Sequence, residues 1–254
     1  MIIRKSQAEI ETMARAGQIV AGTIALLEEN VRPGVTTAKL DALAEEYIRS
    51  HGGEPTFKGY KGYPAATCLS PNDMVVHGIP NESKLVDGDV LSVDVGVTLD
   101  GFVADSAWTF PVGTISPAAQ RLLATCQAAL EAGIDAARVG NDVANISNAV
   151  QTVTEEAGFG IIRSLVGHGV GRSMHEDPQV PNFVSRNRGP ELKAGMTLAI
   201  EPMITAGTPE VYIHDDQWSI STVDGSLAAH FEHTVAVTAN GPRVLTSKTA
   251  VLVP

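Results

Sequence analysis

The sequence predicts an α+β fold made of two similar halves. Two observations carry this expectation. Apolar residues recur at helical spacing in two pairs of segments, and each pair is followed by short apolar runs with strand character. The plan also repeats. Arg32, Gly34 and Gly52 recur as Arg138, Gly140 and Gly158, and Leu85, Gly88, Leu91 and Asp94 recur as Leu192, Gly195, Leu198 and Glu201. Halves related by a pseudo-twofold axis would bring Asp94 and Glu201 to one central place.

The elements follow in order. Ser6 and Glu9 have capping-box spacing, and Ile10, Met13, Gly17, Val20, Ile24 and Leu27 mark one face of a first helix that Pro33-Gly34 stops. A second helix is expected over 36–49, ended by Gly52-Gly53. Strands are expected at 66–69, 90–97 and 102–110. Ser116-Pro117 is an N-cap with proline at the first helical position, opening a third helix through Leu122, Leu123, Cys126 and Leu130. A fourth is expected over 141–157, then strands at 161–166, 197–204, 211–214 and 231–237. With no linker or low-complexity stretch, a single domain over 1–254 is expected, its pseudo-halves about 1–112 and 113–254.

Composition excludes several classes. The 254 residues are 44% hydrophobic and 19% charged, which rules out a disordered chain, a collagen-like repeat or a coiled coil. No run approaches the length of a membrane-spanning helix, and the N-terminus lacks the apolar core of a signal peptide. Two cysteines make no disulfide framework. Cytoplasmic residence without a membrane partner is therefore expected. A formal charge of −11 argues against DNA as a partner.

Chemistry concentrates in a few acidic residues set among apolar neighbours. Asp94 and Asp105 flank a turn signal at Leu99-Asp100-Gly101. A turn centred on 99–100 places them opposite each other, one centred on 100–101 makes them diagonal on one face, and a three-residue loop separates them. Like charges side by side in an apolar hairpin need a cation. Glu201 and Glu232 sit within apolar runs read as strands, and Pro202 keeps Glu201 extended. His168, flanked by glycines, is free to approach a ligand. Four carboxylates exceed the need of one small cation, so two metals are expected. An oxygen-rich set with one imidazole suits Mn, Fe, Co or Zn. Rival motifs are absent: Met174 stands where a dinucleotide fingerprint needs its last glycine, and no P-loop, zincin or nucleophile-elbow motif occurs. Cys68 reads as a buried thiol in a pocket wall. His51, His214 and His230 have no supporting context and are expected on the surface or in loops.

These residues lie in an ordered set of motifs. They include Gly59-Tyr60-Lys61-Gly62-Tyr63-Pro64, Asn72-Asp73-Met74-Val75-Val76-His77-Gly78-Ile79-Pro80, Val93-Asp94-Val95 and Ala104-Asp105-Ser106. Gly167-His168-Gly169-Val170-Gly171, His175-Glu176-Asp177-Pro178, Ile200-Glu201-Pro202-Met203 and Phe231-Glu232-His233-Thr234 follow. In this the chain resembles type I methionine aminopeptidases, of the creatinase/prolidase-like metallopeptidases, over residues 5–246. The resemblance implies a pita-bread fold, a central antiparallel sheet covered by helices. It implies two divalent ions, with Asp94 chelating one, Asp105 and Glu232 bridging, and His168 and Glu201 completing the other. His77 and His175 would contact substrate rather than metal, and His233 would be a neighbour only.

The implied reaction removes the initiator methionine from new proteins with a small second residue. The metals activate a water, His175 hydrogen-bonds the charge developing on the carbonyl oxygen, Glu201 shuttles a proton, and His77 holds the scissile amide or the next residue. Phe57, Tyr60, Tyr63, Cys68, Met174 and Trp218 would line the methionine pocket. The partner would be the N-terminal Met of nascent chains, met near the ribosome exit region by a monomer. Alternatives are an X-Pro aminopeptidase or prolidase, a creatine-type amidinohydrolase, or a non-catalytic binding relative. The first usually carries a large N-terminal domain, for which a catalytic-type motif beginning by residue 60 leaves no room. Type II enzymes carry an insertion between the last two glutamates, here only 31 residues apart. The last would have lost the ligands, all five of which are present.

Overall fold

The computed structural model describes residues 1–247, so residues 248–254 of the expected domain lie outside the described residues. The first half runs α1 (Gln7–Asn30), α2 (Thr37–Ser50), β1 (Glu54–Pro55), a 3-10 turn (Tyr60–Gly62), β2 (Cys68–Pro71), β3 (Met74–Val76), β4 (Val90–Leu99) and β5 (Phe102–Pro111). The second runs α3 (Pro117–Ala136), α4 (Val143–Glu156), β6 (Gly160–Ile161), β7 (Gly167–Gly169), β8 (Glu176–Val180), β9 (Thr197–Ile200) and β10 (Met203–Thr205). It ends with β11 (Val211–Ile213), β12 (Ile220–Thr222), β13 (Ala228–His230), β14 (His233–Thr238) and β15 (Gly241–Val244). Among the described residues, no helix is long and apolar enough to cross a membrane.

The helices start where their caps dictate. Ser6 and Glu9 form the capping box of α1, Thr36 caps α2, Ser116 caps α3 ahead of Pro117, and Asp142 caps α4. Each helix pair covers its own core. Ile24, Leu27, Leu40 and Ile48 pack with Leu91, Val93 and Val95 under α1 and α2. Leu122, Leu130 and Ile146 pack with Leu198, Ile200 and Val235 under α3 and α4. The repeat is visible in the backbone: Gly34 and Gly140 share φ +90°, Gly52 and Gly158 have +79° and +81°, and Gly88 and Gly195 have +98° and +93°.

Strand β4 is central in the first half, with β5 on one edge and β1 and β2 in tandem along the other. The second half has a five-stranded sheet ordered β15-β14-β9-β7-β8. Side-chain hydroxyls of β5 and β14 stitch the halves together. Thr234 Oγ1 accepts from the Asp105 amide at 2.9 Å and donates to the Asp105 carbonyl at 2.8 Å. Ser106 Oγ donates to the Glu232 carbonyl, Thr109 Oγ1 donates to the His230 carbonyl, and the Glu232 amide donates to the Ala107 carbonyl. Trp108 lies across the seam, edge-on to Phe231 at 5.1 Å.

Three strand expectations are corrected. The run 197–204 is broken at Glu201-Pro202, because proline offers no N–H to a ladder, and the chain changes sheet there. The run 231–237 starts as a strand only at His233. Ile200 pairs with His233 and Met203 with His230, so the two breaks face each other and carry Glu201 and Glu232. These glutamates sit in gaps between strands rather than in mid-strand. The run 161–166 keeps strand form only at its start, since its partner β10 is three residues long; Leu165 and Val166 turn to a cavity instead.

A buried ion pair ties the N-terminal segment to the second half, at the loop bearing Met174 and His175. Lys5 Nζ pairs with Glu176 Oε2, with side chains only 3% and 9% exposed. Glu176 Oε1 accepts the Arg172 and Ser173 amides. Breaking one side of a buried pair strands the other charge. Lys5→Met is therefore expected to lower stability by about 3 kcal/mol, and adding Glu176→Gln to recover part of it. Urea unfolding of the single and double variants checks this; equal stabilities in all three proteins would contradict it.

Candidate metal centre

Turn chemistry decides how Asp94 and Asp105 meet. Leu99 pairs with Phe102, so the turn is centred on Asp100-Gly101, with φ +50° and +77°. Both residues adopt the left-handed region that a two-residue hairpin turn requires. Asp94 then faces Ala107 and Asp105 faces Gly96, which leaves the two aspartates diagonal on one face. Cys68 lies beside Asp94 in the neighbouring strand.

From the second half, β7 brings His168 and the paired strand breaks bring Glu201 and Glu232. Donor atoms of Asp105, His168 and Glu232 all lie within 4.8 Å of one another. His168 Nε2 stands 3.4 Å from Glu201 Oε1. Asp105, His168 and Glu232 are buried, and Asp94 joins them on the cavity wall. The five residues singled out from the sequence thus converge.

The tautomer of His168 follows from its partner. Nδ1 lies 2.9 Å from the Gly169 carbonyl oxygen. A carbonyl only accepts, so Nδ1 carries the proton and Nε2 presents a bare lone pair towards Glu201. A lone pair and a carboxylate oxygen in that position fit a cation between them.

The polar satisfaction of the site points the same way. Among the described residues, the buried side-chain atoms left without a hydrogen bond are Asp94 Oδ1, Asp105 Oδ1, Glu232 Oε1 and both ring nitrogens of His230. Unpartnered buried polar atoms are rare, and here they all belong to one cluster. Burial pushes the Asp94 and Glu201 carboxyls up to about 7. It drives those of Asp105 and Glu232 well above the usual carboxylate range, with neighbouring carboxylates adding to the rise. Burial also holds His168 and His175 below the usual imidazole value, and His77 down to about 4. Such a set cannot ionise together without cations, and its hard oxygens and bare imidazole nitrogen suit divalent metal ions.

The centre opens into a cavity of about 280 Å³. Phe57, Tyr60, Tyr63, Cys68, Met174 and Trp218 all line it, as do His77 and His175. The Tyr63 and Trp218 rings meet edge-on at 5.1 Å, and Phe57 packs over Gly96, where a Cβ would come within 2.7 Å of its ring. The Tyr60 hydroxyl lies 2.9 Å from His175 Nδ1. His77 has φ +59°, an unusual backbone for a non-glycine residue and one that often marks functional sites. Its neighbour Gly78 lies so close to Leu69 that a Cβ would meet the carbonyl oxygen at 2.3 Å. The Tyr63 hydroxyl reaches the Gly78 carbonyl at 2.9 Å.

Other histidines divide. His233 turns away, with Nδ1 2.8 Å from the Thr246 hydroxyl. His51 is exposed beside Tyr47, and His214 bonds Ser221. The expectation for His230 is overturned: it is 2% exposed and lines the cavity, because the break after β13 turns this strand end inward. Its proximity to Glu232 in sequence was the one available signal. Lys61, Leu165, Val166 and Met203 also line the cavity unforeseen.

Known proteins resemble the chain closely. The pattern of metallopeptidase family M24 matches residues 11–239. A methionine aminopeptidase of Clostridium perfringens is 50% identical over 97% of this chain and 99% of its own length. Methionine aminopeptidase 1 of Bacillus subtilis is 47% identical with the same coverage. The crystal structure of a methionine aminopeptidase from Thermotoga maritima superposes with a TM-score of 0.95 at 42% identity, covering 98% of this chain and all of that one.

A carboxyl whose pKa folding raises contributes stability that is present below its unfolded value and lost as pH rises through the folded one. For Asp94 and Glu201 the window runs from 3.8 and 4.5 up to about 7. Metal-free protein is expected to lose this contribution across that window. Mn2+ should therefore raise Tm more at neutral pH than near pH 5. Thermal melts with and without chelator measure this, and equal rises at both pH values would count against it.

Proposed function

The chain belongs to metallopeptidase family M24, and from that membership we propose that it hydrolyses the first peptide bond of polypeptides that begin with methionine. The observation that carries the reading is the convergence of Asp94, Asp105, His168, Glu201 and Glu232 on a cavity that Phe57, Tyr60, Tyr63, Trp218, Cys68 and Met174 also line.

Asp94, Asp105, His168, Glu201 and Glu232 would hold the metal. The four carboxylates would carry enough negative charge to hold two divalent ions. When bound, such ions supply Lewis acidity that acidifies water and polarises a carbonyl. Their identity among Co, Mn, Fe and Zn is left to measurement.

The protein's own groups do the rest. Phe57, Tyr63, Cys68, Met174 and Trp218 take the methionine side chain; a thioether suits adaptable aromatic and sulfur contacts. The Tyr60 hydroxyl lies 2.9 Å from His175 Nδ1; with the hydroxyl as donor there, His175 Nε2 would carry a proton and donate to the oxygen on which negative charge develops. His77 holds the scissile amide nitrogen or the flank of the second residue. Glu201 takes a proton from water and returns it to the leaving amine. Short second residues leave the cavity mouth unobstructed, which favours them. Burial keeps the Cys68 thiol protonated, its pKa raised well above the usual value, so it serves as wall rather than nucleophile.

By its family resemblance the chain would work in the cytoplasm as a single-domain monomer on polypeptides leaving the ribosome.

Turnover of a Met-Ala-Ser peptide with added Mn2+ or Co2+, and none of an X-Pro peptide, is the expected result; the reverse preference would assign a proline-specific activity. Asp105→Ala is expected to remove both activity and most bound metal, read by elemental analysis. His175→Ala should keep the metal and lower kcat by about 10²–10³-fold. His77→Ala should also keep the metal and lose rate; loss of metal would make His77 a ligand.

A further inference from the structure

His230 is a buried imidazole beside the carboxylate cluster that the five-residue set does not use. Its Nε2 lies 3.6 Å from Glu201 Oε2 and 4.0 Å from Glu232 Oε2. Neither ring nitrogen has a hydrogen bond. The backbone beneath it is fixed: the His230 amide donates to Thr109 Oγ1 at 2.9 Å, the same hydroxyl donates to the His230 carbonyl at 2.8 Å, and His230 pairs with Met203. The ring therefore projects from a rigid strand end.

The two buried imidazoles of the site differ in what surrounds them. At His168 the Gly169 carbonyl claims the Nδ1 proton, so Nε2 faces Glu201 Oε1 as a bare lone pair. At His230 nothing claims Nδ1. A neutral imidazole carries one N–H, and a buried N–H without an acceptor is costly. The carboxylate oxygens within 4.0 Å of the ring, Glu201 Oε2 and Glu232 Oε2, both lie at Nε2. The favoured tautomer thus places the proton on Nε2, where it cannot ligate a metal but can donate. A small closure of the 3.6 Å gap completes that hydrogen bond.

On the metallohydrolase reading given above, we propose that His230 is a positioning residue. Its Nε2–H donates to Glu201 Oε2, with Glu232 Oε2 as second acceptor, and so keeps Glu201 Oε1 turned towards His168. One carboxylate is gripped at both ends, by a ligand imidazole on one side and a donor imidazole on the other.

His230→Gln retains an N–H donor of similar reach, and His230→Leu removes it. Outer-shell partners of metal ligands are worth about 10–100-fold in metal affinity; the Leu variant should lose that much in Mn2+ affinity by equilibrium dialysis, and the Gln variant about threefold or less. X-ray absorption of Co2+-loaded protein should find one coordinated imidazole in wild type and His230→Leu, and none in His168→Ala. A second imidazole that disappears in His230→Leu would make His230 a ligand and overturn the proposal. So would equal affinities in the Gln and Leu variants. If the Leu variant fails to fold, the imidazole counts of wild type and His168→Ala still decide. A wild-type protein that binds no Mn2+ would sink the metallohydrolase reading itself, an outcome distinct from either of these.

Discussion

A concentration of anionic oxygens inside an apolar shell is the condition on which the remaining structure depends. Asp94, Asp105, Glu201 and Glu232 share one cavity wall, and burial raises the pKa of all four. Removing several carboxylates from water is expensive, and their mutual repulsion compounds the cost. Divalent cations reverse the sign of the interaction, turning a destabilising cluster into a binding site. Apart from the ring nitrogens of His230, the buried side-chain atoms left unpartnered among the described residues are oxygens of this cluster, as expected if they are reserved for a ligand rather than for the protein's own hydrogen bonds.

The architecture serves that concentration. A hairpin from one half presents two aspartates on one face, and two opposed strand breaks from the other half present two glutamates. The hydroxyls of Ser106, Thr109 and Thr234 clamp these backbones together across the seam. Side chains that bond the main chain of the opposite half hold the carboxylates in register without consuming the carboxylate oxygens. Strand breaks matter for the same reason: at Glu201-Pro202 and Phe231-Glu232 the ladder lapses, and the side chains are released from strict alternation into the cavity.

The cavity combines two kinds of lining: the carboxylates with His168, and an apolar set of Phe57, Tyr63, Trp218, Met174 and Cys68. The ring of Tyr63 meets Trp218, while its hydroxyl donates to the Gly78 carbonyl next to His77. Proton placement follows local partners: the Gly169 carbonyl fixes His168 with a bare inward nitrogen, and the Tyr60 hydroxyl stands within hydrogen-bond reach of His175 Nδ1. The same accounting makes His230 a donor to its neighbouring carboxylates.

Much of this was legible from residues alone. Caps at Ser6, Thr36 and Ser116 act on the next few amides, so they mark helix starts without tertiary information. Apolar periodicity reports which face will be buried, and the offset between Gly34 and Gly140 reports a duplicated plan. Acidic residues among apolar neighbours call for a compensating partner, a cation among them, because an uncompensated charge is costly there. Three matters needed the folded chain. The turn at Asp100-Gly101 chose one of several hairpin registers, since several residue pairs there could occupy the turn. The runs through Glu201 and Glu232 read as continuous strands, because alternation does not reveal where a chain passes between sheets. His230 carried no marker of its own, because a histidine's role is set by what faces it, and what faces it here comes from segments distant in sequence.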